Sequence, residues 1–175
     1  MSSNYTALLI VDAQVNMFDP AFAVDQADEI LEKLQTLIAL ARGSGTQVVF
    51  IQHNGPQGAV DEQGSEGWLL HPELGIENGD LVVQKSDFNA FAETELGARL
   101  KARGINKLIV AGMYSELCIH RTCLGAHELG FKVTLVQDAH TTYPSESETA
   151  LDIRNRVNAE LKDVVALWRL EDIYS

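Results

Sequence analysis

Cysteine is scarce in this chain, with only Cys118 and Cys123 among 175 residues. That count excludes a disulfide-stapled secreted scaffold and points to a reducing compartment, the cytoplasm. Long apolar runs are missing too. The N-terminal stretch 7–11 is five residues long and ends at Asp12, whereas a signal-peptide core needs about 7–15 and a membrane span about 20. A soluble protein without a membrane partner is expected. Cationic residues are outnumbered, 13 Lys and Arg against 25 Asp and Glu, giving a formal charge of -12. This balance argues against nucleic acid and anionic membranes as partners, since both require clustered Lys and Arg. What remains is an ordinary globular mixture, 46% hydrophobic and 22% charged. A chain of this length is expected to form one domain over residues 1–175, burying roughly 70% of its unfolded surface.

Short apolar runs alternate with longer helical patterns. Strands are expected at 7–11, 47–51, 81–83, 107–111, 132–137 and 164–167, where β-branched and aliphatic residues predominate, without interruption in the first. Helices are expected from a cap at Asp25 to Gly43, then at 90–103, 115–129 and 146–161. Between 53 and 79 the chain is rich in Gly and includes Pro56 and Pro72, the mark of a long loop with a functional task. Strand and helix alternation implies right-handed crossovers and a parallel sheet covered on both faces.

In such sheets, sites form at the carboxyl ends of the strands. Asp12 ends the first, His53 follows the second, Lys85 the third and the segment 112–118 the fourth, with Asp138 and His140 after the fifth. Ser115 is a suitable helix cap, which sets Cys118 in a first turn where free N–H groups and the helix dipole favour thiolate. Cys123 lies about 140° further round the helix and should face the packed side, out of bridging reach. Read singly, each residue has an ordinary structural role open to it: a buried thiol, a turn-capping carboxylate, a solvated ammonium. Their coincidence at one sheet edge gives them weight together.

Three segments then resemble one known family. Asp12-Ala-Gln-Val-Asn-Met-Phe18, Lys85-Ser-Asp-Phe-Asn-Ala-Phe91 with Thr94 and Leu96, and Gly112-Met-Tyr-Ser-Glu-Leu-Cys118 with Thr122 and Ala126 are similar to isochorismatase-like cysteine hydrolases. That superfamily includes nicotinamidases and N-carbamoylsarcosine amidohydrolase. The resemblance implies a three-layer α/β/α fold with a mostly parallel, Rossmann-like six-stranded sheet. It implies Asp12 as general base, Lys85 as its cationic partner and Cys118 as nucleophile. The N–H groups of Tyr114 and Cys118 would form an oxyanion hole, with a cis peptide at Met113–Tyr114. The reaction implied is hydrolysis of a small amide-type C–N bond through a thioester, because true isochorismatases, which cleave a vinyl ether, lack the cysteine.

Nicotinamidases carry an Asp and, two residues later, a His as metal ligands after the second strand. Here those places hold His53 and Gly55, so neither metal nor cofactor is expected. His53 and His71 are left as contacts to substrate or, as a pair, to metal. Phe18, His53, Trp68 and Tyr114 are the candidate substrate-binding side chains, although Trp68 could equally pin its loop. His120 and His127 are expected to be structural or interfacial. The family is generally oligomeric, and the terminal segment 164–175 with Trp168 and Tyr174 could reach a neighbouring subunit. The acidic charge gives anionic substrates no long-range attraction, which suits a neutral amide. Two readings from other classes stay open: a non-catalytic small-ligand module on the same fold, and a thiol redox sensor.

Overall fold

Six apolar runs become strands of one sheet in the computed structural model, which describes residues 5–175. They are β1 (Thr6–Val11), β2 (Gln47–His53), β3 (Leu81–Lys85), β4 (Lys107–Met113), β5 (Lys132–Thr141) and β6 (Ala166–Trp168). Their order is β3-β2-β1-β4-β5-β6 and every pairing is parallel. The expected parallel α/β architecture is therefore present. Chain order reverses between β1 and β4, and such a switch point opens a crevice at the strands' carboxyl ends.

Two apolar layers cover the sheet. Ile30, Leu34, Leu37 and Ile38 of α1 (Ala27–Gly43) meet Leu8, Ile10, Val48 and Phe50 on one face. On the other, Leu96 and Leu100 of α2 (Leu96–Ala102), Cys123 and Ala126 of α3 (His120–Glu128), and Ile153 and Val157 of α4 (Ala150–Leu161) meet Leu9, Val11, Val49 and Ile51. Alternate residues of β1 thus serve opposite layers, and β1 is buried almost throughout. That is why the strand reads as a continuous apolar run.

Several boundaries differ from the sequence expectation for local reasons. α1 begins after Gln26, which has φ 52° and makes no side-chain cap bond, while Asp25 ties its backbone to Thr142 and Thr141 at the end of β5. Residues 87–95 do not join α2. The Asp87 carboxylate accepts from Asn89 N–H, the Asn89 side chain accepts from Phe91 N–H, and Thr94 Oγ1 donates to Ala90 O. Such local bonds hold the backbone in turns. α4 starts at Ala150 and not 146, because Thr149 and Asp152 form a reciprocal capping box. The C-terminal segment folds onto its own chain. β6 pairs with β5, and Leu170, Ile173 and Tyr174 pack on the α1 layer, with Trp168 left half exposed. Among the described residues, no helix is long and apolar enough to cross a membrane.

Candidate active site

β1 delivers Asp12 to the switch point. Its φ of 55° is uncommon for a non-glycine residue, and its N–H still donates to Ile51 O at 3.0 Å. Beside it β4 must turn sharply. Gly112 has φ 127°, and a Cβ there would overlap the Val11 backbone, whose nitrogen would be only 2.8 Å away. The β4–β5 register slips between Val110 and Gly112, so Gly112 lies opposite His140. The Met113–Tyr114 peptide is cis, as the family resemblance implied.

Cys118 follows in a π-helical turn, Ser115–Ile119, not in a regular helix capped by Ser115. Tyr114 O accepts from Leu117 N–H at 3.2 Å and from Ile119 N–H at 3.1 Å, two bonds that bracket Cys118. Ser115 Oγ is occupied elsewhere, 2.7 Å from His140 Nδ1, and His140 Nε2 lies 2.8 Å from Asn158 Oδ1. Asn158 Nδ2 donates to Gln137 O, so Oδ1 is the end that accepts from the imidazole. The proton order follows: His140 carries hydrogen on Nε2, and Ser115 donates to Nδ1. Burial pushes His140 down to about 4, which keeps it neutral.

Lys85 joins the three strand ends. Its side chain is fully buried, and Nζ lies 3.1 Å from Asp12 Oδ2, 3.2 Å from Cys118 Sγ, 3.0 Å from His53 Nδ1 and 3.0 Å from Asp87 O. Asp12 Oδ1 is buried and makes no hydrogen bond that meets distance and angle limits among the described residues. Burial pushes the Cys118 thiol up, the Asp12 carboxylate adds to this, and Lys85 opposes it. Burial and the neighbouring carboxylate therefore work against the thiolate that a place in the first turn favours. The helix start does not outweigh loss of solvent and a carboxylate alongside. Cys123 is free and buried in the packed layer, pushed up to about 12 by burial alone.

Asp12, His53 and Cys118 offer donor atoms within 4.8 Å of one another, the one such group among the described residues. They do not fit a metal ion. Lys85 Nζ already contacts all three, and a metal at their centre would have to expel a buried ammonium. His71 is not part of this group: it caps a short turn through Glu73 N–H and meets Phe18 edge-on at 4.9 Å. Phe18 lines a separate cleft with Pro20, Val24 and Ala27. Trp68 pins its loop. Its Nε1 donates to Asn54 Oδ1 at 2.8 Å, and its carbonyl accepts from Gln14 and Gln52. The Tyr114 ring meets Tyr143 at a tilt of 59° with centroids 5.3 Å apart, and the Tyr143 hydroxyl donates to Phe22 O. Asp138 binds Lys33, Arg169 and Leu170 N–H and is structural. His120 Nε2 lies 3.3 Å from Glu160 on α4, and His127 is exposed.

The isochorismatase domain model matches residues 6–163. The chain belongs to the isochorismatase family. Over 168 residues it is 42% identical to a streptothricin hydrolase of Streptomyces noursei, covering 95% of this chain and 59% of that protein. It is 27% identical to a ureidoacrylate amidohydrolase of Stutzerimonas stutzeri, covering 86% and 75%. An isochorismatase crystal structure from Pseudomonas putida KT2440 superposes with a TM-score of 0.89 at 26% identity, covering 98% and 91%. The chain thus spans about three fifths of the length of the streptothricin hydrolases it matches.

Within this family fold, several supporting residues had escaped the sequence reading. Gln14 is fully buried, and its side-chain amide accepts from His53 N–H and donates to His53 O, both at 2.9 Å, as an extra strand rung would. Asn54 N–H donates to Lys85 O, and Thr122 Oγ1 accepts from Ala90 N–H, fixing the turn that presents Asp87 O to Lys85. The available signal was a polar residue inside a matched motif next to an apolar strand, since a buried polar group needs partners.

Proposed function

We propose that this chain is a cysteine hydrolase that cleaves a small-molecule C–N bond of amide type through a thioester acyl-enzyme. The observation that carries the reading is Cys118 Sγ held 3.2 Å from the Lys85 ammonium, with the buried Asp12 Oδ1, unpartnered among the described residues, available as proton acceptor. The raised thiol makes the base necessary. When a carbonyl carbon enters, the thiol proton passes to Asp12 and sulfur forms the C–S bond. Lys85 steadies both anions as charge moves from sulfur to oxygen. The backbone N–H groups of Tyr114 and Cys118 receive the oxyanion. Protonated Asp12 then gives its proton to the departing amine as the C–N bond breaks. Water, deprotonated by the same carboxylate, hydrolyses the thioester and restores the thiol. No step passes through a metal. The names of the two curated relatives, a streptothricin hydrolase and an amidohydrolase, support amide chemistry.

A panel of amides that includes streptothricin and ureidoacrylate, with released amine or ammonia measured, tests the proposal. Turnover by the wild type, its loss in Cys118→Ala, and an acyl adduct on Cys118 by intact mass are expected. Turnover that survives Cys118→Ala overturns it.

A further inference from the structure

Lys85 has more partners than protons. An ammonium carries three N–H bonds, and four acceptors surround Nζ at 3.0–3.2 Å: Asp12 Oδ2, His53 Nδ1, Asp87 O and Cys118 Sγ. Nothing remains on Lys85 to orient a substrate. The same contact fixes the proton on His53. An ammonium can only donate, so Nδ1 facing it must present its lone pair, and the ring hydrogen sits on Nε2. Burial, followed by the Lys85 charge, holds the imidazole below its usual range and therefore neutral.

His53 is also held rigidly. Gln14 satisfies its N–H and its carbonyl, so the backbone cannot shift without breaking two bonds inside the core. A ring nitrogen lies within 4.8 Å of both Asp12 and Cys118. The ring is only half buried, and Nε2 has no hydrogen-bond partner among the described residues. The imidazole thus lies beside the thiol, neutral and in a fixed tautomer, with its Nε2 hydrogen uncommitted among the described residues.

We propose that His53 is a specificity-determining residue that donates Nε2–H to an acceptor oxygen or unprotonated nitrogen on the substrate, next to the scissile carbonyl. The inference rests on the hydrolase reading above and narrows it to amides bearing a second acceptor there. An analogue lacking that acceptor leaves the donor unpaired, the kind of mismatch that discriminates strongly.

Two substitutions separate this role from mere support of Lys85. His53→Asn keeps an acceptor near the Nδ1 position and removes the outer donor. His53→Gln places an amide N–H near the Nε2 position and gives up the inner acceptor. On an amide that the wild type hydrolyses, H53N is expected to lower kcat/KM at least 10-fold, mainly through KM, and H53Q to recover most of that loss. The iodoacetamide rate at Cys118 should stay within about threefold in H53N, showing the cluster intact. An H53N as active as wild type, or an H53Q no better than H53N, overturns the inference. Nitrogen-15 NMR of the imidazole supplies a readout independent of hydrolysis, with the Nε2–H tautomer expected at pH 7. An Nδ1–H or charged ring overturns the inference even in a protein inert towards every amide, an inertness that would itself refute only the hydrolase reading.

Discussion

Removing Asp12 should make Cys118 more reactive towards an alkylating agent while abolishing hydrolysis. Asp12→Asn keeps the shape and deletes one charge within 4.8 Å of Sγ. At an effective dielectric of about 20, charges that far apart interact by about 3.5 kcal/mol, a few-hundredfold in thiolate population. Lys85 Nζ, 3.2 Å from the sulfur, then acts unopposed. A more acidic thiolate is also a weaker nucleophile, with a Brønsted slope of about 0.4–0.5, so the net gain in rate is on the order of 20-fold. Iodoacetamide alkylation of Cys118 at pH 7, followed by intact mass, reads it directly. Cys123 is silent because it is fully buried. Amide turnover by the same variant should vanish, because no group remains to take and return the proton. Alkylation of D12N no faster than wild type would refute the claim that this carboxylate keeps the thiol protonated.

Other perturbations test the frame around the site. Gly112→Ala places a Cβ against the Val11 backbone at a φ that L-residues avoid, so a loss of more than about 3 kcal/mol in urea unfolding is expected. His140 is held near 4 when folded against an ordinary value of 6.5. Between those values the unfolded chain binds a proton that the native state refuses, so stability falls as pH drops through that window. The loss from pH 7 to pH 5 should be about 2 kcal/mol, and His140→Gln should remove that component of the slope. Ser115→Ala leaves buried Nδ1 of His140 without its donor, an expected cost of about 1–3 kcal/mol by denaturant titration. Asn54→Ala frees Trp68 Nε1 and should speed proteolytic cleavage in 55–70 with little change in Tm.

The parallel layered fold was legible because buried parallel strands must be uninterrupted aliphatic runs. Residues 7–11, 48–51 and 108–111 are apolar without a break, and all lie in the sheet. The motif residues Asp12, Lys85 and Cys118 were legible for a related reason, since strand ends in this topology gather at one edge. Helix starts were less so. Residues 87–95 and 115–119 carry helix-compatible patterns, but Asx turns at Asp87 and Asn89 and the Ser115–His140 bond compete with the helical ladder.

By itself, then, the sequence determined the order of strands and helices, the absence of a disulfide frame and the identity of the three residues at the site. Those follow from local apolar pattern and from motif. Protonation and orientation were decided only by tertiary structure. Whether Cys118 is thiol or thiolate depends on burial and on Asp12, more than a hundred positions away in the chain. Where His53 carries its hydrogen depends on an ammonium delivered by a different strand. The C-terminal segment pairs with β5 and packs on the α1 layer because its own apolar residues find partners there. Electrostatic energy falls with distance through space, not along the chain, so no reading of linear spacing could have supplied these facts.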